Sequence, residues 1–261
     1  MPVVIRSAKD IERMRAAGEI VADVHARLQE AVRPGVTTND LDRLAAEAIA
    51  RYGARSAFLG YVPRGARVAP FPGNICTSVD AVIVHGIPDD QPLAAGQIVA
   101  IDVGVELDGF HGDAAATYPV GGVSDEKSQL IDAARTSFFA GMREAYAGRR
   151  LGDVSAAIQR HVEGFGFNVV REYGGHGIGR RMHEEPSVLN HGAPGTGILL
   201  RPGMTFAVEP MVVAGGPETR QLPGGWIVET ADGRPSSHYE HTVLITEAEP
   251  ELLTRVAVIA G

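Results

Sequence analysis

The stretch IVAIDVGVELDGFHGDAAATY, residues 98–118, is apolar enough for the middle of a β-sheet, yet it carries two carboxylates, Asp102 and Asp113. An unpaired charge in a packed interior costs several kcal/mol or neutralises itself. Asp108-Gly109 is a two-residue hairpin signal. A turn made of that pair sets Leu107 opposite Phe110 and, counting back, Asp102 opposite Ala115. Asp113 is then the diagonal neighbour of Asp102 on the same face, with backbones roughly 7 Å apart. Two carboxylates so placed repel unless they share a proton or a cation. A shared proton would make a dyad. Three further residues of ligand type, His176, Glu209 and Glu240, favour cations. Five ligands are too many for one small site and suit two ions with bridging carboxylates.

Those three residues come from an internal repeat. Gly35–Gly53 (GVTTNDLDRLAAEAIARYG) aligns with Gly148–Gly166 (GRRLGDVSAAIQRHVEGFG). His85-Gly86-Ile87 has its counterpart in His176-Gly177-Ile178, and GQIVAID (96–102) in GMTFAVE (203–209), which sets Glu209 opposite Asp102. His111-Gly112-Asp113 parallels His238-Tyr239-Glu240. A period this long is not that of a solenoid. It implies a single domain over residues 1–261, made of two αα-then-β halves, about 1–122 and 123–261, whose ligand-type residues converge near a pseudo-two-fold axis.

The elements that must position these residues are legible in outline. Ser7 and Asp10 form a capping pair ahead of a helix with Ile11, Met14, Val21, Val24 and Leu28 on one face. A second helix runs through Leu41, Leu44, Ala48 and Tyr52 and stops at Gly53. Residues 54–75 read as loop, strands follow at 81–85, 98–107 and after 110, and 120–127 reads as a connector. Helices return at about 124–147 and 152–164, then strands and turns. His176 and His183 flank a glycine-rich turn in GGHGIGRRMHEEP. That run lacks the G-x-G-x-x-G spacing of a dinucleotide site, and histidines seven apart are not the helical pair of a zincin. Glu184 and Glu185 read as a solvated or capping pair.

Composition bounds the rest. With 261 residues, 44% apolar and 21% charged, the chain can bury a large core. A net charge of −8 and no Lys/Arg-rich block argue against a nucleic-acid partner. The single cysteine, Cys76, excludes an internal disulfide and suits a reducing compartment. The N-terminal MPVVIRSAKDIERMR turns charged too soon for a signal peptide, and no apolar run approaches the ~20 residues of a membrane span. The expected protein is soluble, cytoplasmic and monomeric.

The motifs VHGIP (84–88), IDVGV (101–105), FHGDAA (110–115), GHGIGRRMHEEP (175–186), FAVEP (206–210) and YEHT (239–242) resemble, in order and over nearly the whole chain, the type I methionine aminopeptidases. The resemblance implies an α+β pita-bread fold and removal of the initiator methionine from nascent polypeptides when the second residue is small, through a water activated by two metals. It implies that Asp102 chelates one ion, that Asp113 and Glu240 bridge two, and that His176 and Glu209 complete the second. It makes Glu209 the general base, and His85 and His183 non-ligand histidines that hold the scissile amide and carbonyl. The methionine pocket would fall on Tyr61, Cys76, Met182 and Trp226, with Phe71. Cys76 and Met182 read equally well as core, and Trp226, in a Gly-rich turn, as part-exposed at the pocket mouth. The implied cofactors are two divalent ions: Co, Mn, Fe or Zn. Partners would be N-termini of nascent chains in transient proximity to the ribosome, with no nucleic acid and no membrane. A chain starting Met1-Pro2 would itself be a substrate.

The sequence departs from the family between the tyrosine of LGY and Phe71, where VPRGARVAP (62–70) intervenes. It also lacks the zinc-finger or linker extensions of some relatives, so ribosome docking through such a module is not expected. Two other readings stand beside this one. An X-Pro peptidase of the same fold would be expected to carry an additional N-terminal domain, for which this chain has no room. A non-enzymatic peptide-binding protein on the scaffold would be expected to have lost ligands, and all five are present.

Overall fold

The computed structural model describes residues 3–255; readings made on Met1 and Pro2, and the outer limits of the two halves, lie outside the described residues. In chain order the elements are α1 (Ala8–Ala31), α2 (Thr38–Arg51), β1 (Arg55–Ser56), β2 (Cys76–Val79), β3 (Val82–Val84), β4 (Ile98–Leu107), β5 (Phe110–Pro119), α3 (Asp125–Met142) and α4 (Leu151–Gly164). The remainder is strand: β6 (Asn168–Val169), β7 (Gly174–Gly177), β8 (Glu184–Leu189), β9 (Thr205–Val208), β10 (Met211–Val213), β11 (Thr219–Gln221), β12 (Val228–Thr230), β13 (Ser236–His238), β14 (His241–Leu244) and β15 (Glu251–Leu252). The arrangement is α+β, and every strand pairing among the described residues is antiparallel. No helix among the described residues is long and apolar enough to cross a membrane.

Local chemistry explains the helices. Ser7 and Asp10 cap α1 reciprocally, and the helix buries Met14, Ile20, Val21, Val24 and Leu28, while Ile11 is only partly buried. Thr37 and Asp40 cap α2 in the same way. Tyr52 falls just past the end of α2 and is 48% exposed, so it does not belong to the buried face. α3 ends at Met142 rather than near residue 147. Its last turn tightens as Glu144 and Ala145 donate to Gly141 and Met142, and Ala147 turns away to donate to Thr246.

The hairpin β4–β5 has the register its turn dictates: Asp102 lies opposite Ala115 and Gly104 opposite Asp113. Asp108 and Gly109 both have positive φ, 49° and 77°, as a twist-matched two-residue turn requires. α2 and α4 are both 14 residues long, and their flanks bridge equivalent positions, Thr37 to Pro92 and Arg150 to Leu199. Two strands were not legible in the sequence: β1, inside the segment read as loop, and β2, too short to show an alternation. The strand expected over 81–85 is shorter, because His85 leaves it with φ +58°.

Helix α1 is fastened to β5 by His25, whose Nδ1 meets the Tyr118 hydroxyl at 2.8 Å and whose Nε2 meets the Ala114 carbonyl at 2.9 Å. Burial keeps this imidazole neutral, with its pKa lowered to about 4. A group depressed in the fold contributes stability that is lost as pH falls through the folded pKa. His25→Gln is therefore expected to cost about 1–3 kcal/mol at neutral pH, from unsatisfied partners. The gap to wild type should narrow as pH drops from 6.5 towards about 4. Urea unfolding of both proteins across that window checks this; a gap independent of pH would refute it.

Candidate metal centre

The sheet register gathers the candidate ligands. Across a strand pair, directly opposed residues share a face, and so do residues two apart along one strand. Asp102 faces Ala115 on β5, and Ala115 in turn exchanges backbone hydrogen bonds with Glu240 (2.8 and 3.3 Å). Thr242 and Thr117 extend that contact on either side. The Thr242 hydroxyl accepts from the Asp113 amide (3.0 Å) and donates to its carbonyl (2.9 Å). The Thr117 hydroxyl accepts from the His238 amide and donates to the His238 carbonyl, both at 2.9 Å. β5 is thus stitched antiparallel to segment 238–242. One step beyond the β9–β14 pairs, Glu209 comes level with Glu240, and β7 sets His176 against Ala207, two residues before Glu209.

His176 offers Nε2 to the cluster, 3.8 Å from Asp113 Oδ2 and 3.7 Å from Glu209 Oε1. Its Nδ1 lies 2.9 Å from the Gly177 carbonyl, which makes Nδ1 the protonated nitrogen and leaves a lone pair on Nε2. His238 Nε2 lies 3.6 Å from an oxygen of Glu209 and 3.6 Å from one of Glu240. These gaps are too long for hydrogen bonds. They are close to the separation, about 3–3.5 Å, of two donors sharing an ion at about 2.0–2.2 Å.

The residues fit divalent ions on a second ground. Seven described buried side-chain atoms have no hydrogen-bond partner, and four of them are here: Asp102 Oδ1, Asp113 Oδ1, Glu240 Oε1 and His238 Nε2. Burial first, and then the charge of Asp113, hold the carboxyls of Asp102 and Glu240 well above the usual range. Burial and Glu209 push Asp113 up to about 8. Burial also raises Glu209, but His238 and the neighbouring imidazoles outweigh it and keep this carboxyl below its ordinary value. Two groups have ligand atoms within 4.8 Å of one another: Asp102, His238 and Glu240, and Asp113, His176 and Glu240. Glu240 is common to both.

All twelve sequence-predicted site residues line one cavity of about 1060 Å³. Cys76 faces Asp102 across β2–β4, so the apolar slot adjoins the carboxylates. Burial and the nearby carboxylates push the Cys76 thiol up, which keeps it protonated and apolar. Phe58, Phe71, Cys76, Met182 and Trp226 belong to one apolar cluster, with Tyr61 packed against it. The residues 62–70 do not displace Phe71. Phe71 donates to the Tyr61 carbonyl (2.9 Å) and accepts from Gly60 (2.8 Å), so the extra residues leave and return at one point. Trp226 is 8% exposed rather than open at the mouth. Its ring lies edge-on to Phe71, and its indole N–H donates to the Ala69 carbonyl at 2.8 Å, pinning that loop.

His85 enters the cavity from its left-handed backbone position. The next residue, Gly86, passes so close to Thr77 that a Cβ there would lie 2.1 Å from the Thr77 carbonyl oxygen. His183 opens onto the cavity from the other side, with Nδ1 2.7 Å from the Tyr61 hydroxyl and its ring 4.2 Å from that of His176. Glu184 is not solvated. Its carboxylate is buried against the Arg6 guanidinium, which also donates to the Ile178 carbonyl at 3.1 Å. The pair braces the turn that carries Met182 and His183. Glu185 is exposed, as read. Sequence reasoning did not place His238 in the site; its repeat position opposite His111 was the available signal.

A carboxyl raised by the fold contributes stability below its unfolded pKa and loses it as pH rises through the folded one. For Asp113 that window runs from 3.8 to about 8. The metal-free chain is expected to lose stability across it, Asp113→Asn to lose less, and saturating divalent cation to offset the loss in the wild type. Urea denaturation with chelator or with added metal measures this; identical slopes for wild type and variant would contradict it.

Residues 12–247 match the model of metallopeptidase family M24. The chain is 46% identical over 254 residues to a methionine aminopeptidase of Clostridium perfringens, covering 97% of this chain and 99% of that one. The methionine aminopeptidase structure from Rickettsia prowazekii superposes with a TM-score of 0.92 at 42% identity, covering 97% of this chain and all of that one (100%). An Xaa-Pro dipeptidase from Bacillus anthracis shares the fold, with a TM-score of 0.76 at 19% identity, and this chain spans 63% of it.

Proposed function

Because the chain belongs to metallopeptidase family M24, and within it to the methionine aminopeptidases, we propose that Asp102, Asp113, His176, Glu209 and Glu240 hold its divalent ions and that the adjoining slot takes the methionine side chain. The fold is the pita-bread fold, and the activity is metal-dependent release of N-terminal methionine. The roles given to individual residues, the count of two ions, and their identity among Co, Mn, Fe and Zn are this reading's own. The observation that carries it is that five ligand residues, two histidines and an aromatic slot open onto one cavity.

When bound, the ions supply a Lewis acid for the scissile carbonyl and acidify a water to serve as nucleophile. Glu209, ionised in its surroundings, accepts the proton of that water on its carboxylate. The Tyr61 hydroxyl lies 2.7 Å from His183 Nδ1, and as the donor there it fixes the tautomer that presents Nε2–H to the substrate oxygen as charge develops. His85 holds the opposite side of the amide, its ring set edge-on to Tyr173 and Trp226. Phe58, Phe71 and Trp226 with Met182 offer the ring edges and polarizable sulfur that a thioether chain packs against. We read the chain as one catalytic unit of two related halves, a cytoplasmic monomer acting on nascent N-termini with a small second residue, in transient proximity to the ribosome. A continuous core running from Ile20 to Ile245 supports the first of these.

Chelator-treated protein should release no methionine from Met-Ala-Ser and regain activity with added divalent metal. Leu- and Pro-led peptides should be spared, and Asp102→Ala should lose both metal and activity. Equal turnover of Met-led and X-Pro peptides would overturn the specificity, and a wild-type chain that neither binds metal nor cleaves would favour a binding protein. His183→Ala is expected to lower kcat about 100- to 1000-fold with metal content unchanged. Tyr61→Phe should lower it about tenfold, through the freed ring. Steady-state kinetics with metal analysis decides both, and loss of metal in either variant would refute the non-ligand assignment.

A further inference from the structure

We propose that His238 is a metal ligand of this chain, supplying an imidazole nitrogen to the ion held by Asp102 and Glu240. The inference rests on the dimetal reading above and adds a donor to it. His238 is 2% exposed and its Nε2 is sealed from solvent, with no hydrogen-bond partner. A buried imidazole nitrogen left unsatisfied costs free energy unless something else occupies it. Its neighbours are carboxylates: Glu209 and Glu240 each at 3.6 Å, and Asp102 in the same cluster with donor atoms within 4.8 Å. Those distances exclude direct hydrogen bonds and leave room for a cation between the donors.

The backbone is built to hold this side chain in place. The Thr117 hydroxyl both accepts from the His238 amide and donates to its carbonyl, while Ser237 donates to that same hydroxyl at 3.0 Å. The repeat supplies an internal contrast. His111, at the equivalent position of the first half, satisfies Nδ1 on the Gly179 carbonyl at 3.0 Å, whereas His238 Nε2 faces only the cluster. With His238 coordinating, each ion has one imidazole, His238 on one and His176 on the other. The ion at Asp102 then has a mixed nitrogen–oxygen set, which favours Zn, Co or Fe over the all-oxygen preference of Mn or Mg.

The test compares wild type with His238→Gln, both stripped of metal, by calorimetric titration with Zn and with Mn and by the visible spectrum of the Co(II)-loaded protein. The expected result is loss of Zn affinity by at least about tenfold at one of two sites, a smaller loss for Mn, and an altered Co(II) ligand-field spectrum. Unchanged affinity and spectrum in a folded variant would overturn the proposal. X-ray absorption of the fully loaded wild type needs no variant to fold: imidazole scattering for two histidines per two ions supports it, and for one overturns it. A wild-type chain that binds no divalent ion would overturn the dimetal reading itself. Two ions bound with one imidazole would overturn only the role of His238.

Discussion

Mutual repulsion among buried carboxylates is the constraint around which this molecule is built. Asp102, Asp113 and Glu240 point onto one sheet face beside Glu209, and several of their oxygens lack any protein partner. Left alone, such a cluster can only hold protons, which is what the raised pKa values of Asp102, Asp113 and Glu240 express. A divalent ion reverses that balance, because its charge exceeds any other in the cavity and favours the ionised forms. The repulsion that costs the metal-free chain stability is the same property that suits these carboxylates to a divalent ion.

Holding that arrangement against its own repulsion requires a rigid frame. The Ala115–Glu240 backbone exchange ties the β4–β5 hairpin to segment 238–242, and Thr117 and Thr242 reinforce it on either side. α1 is clamped to the back of β5 through His25. Around the rim of the cavity the contacts are single ones: Tyr61 on His183, Trp226 on Phe71 and on the Ala69 carbonyl, Arg6 on Glu184. The frame and the rim use different physics. Backbone ladders fix the carboxylate face, whereas side-chain packing and single hydrogen bonds shape the slot.

That division explains what could be read in advance. The Asp108-Gly109 turn fixed the β4–β5 pairing, because a two-residue loop leaves one register, and register decides which side chains share a face. The repeat then carried the pattern to Glu209 and Glu240. The short strands β1 and β2 escaped notice because a few residues cannot display a period, and their pairing depends on β4. Glu184 was misread because its partner, Arg6, lies 178 residues away in sequence.

The sequence by itself determined the hairpin register, the carboxylates that share its face and the family, because these follow from local turn chemistry, alternation and ordered motifs. Only the tertiary structure decided that the 62–70 segment closes on itself beside Phe71, that Trp226 is buried, and that His238 turns an unsatisfied nitrogen towards the carboxylates. Each of those depends on contacts between segments far apart in the chain, and distance in space is not written in distance along it.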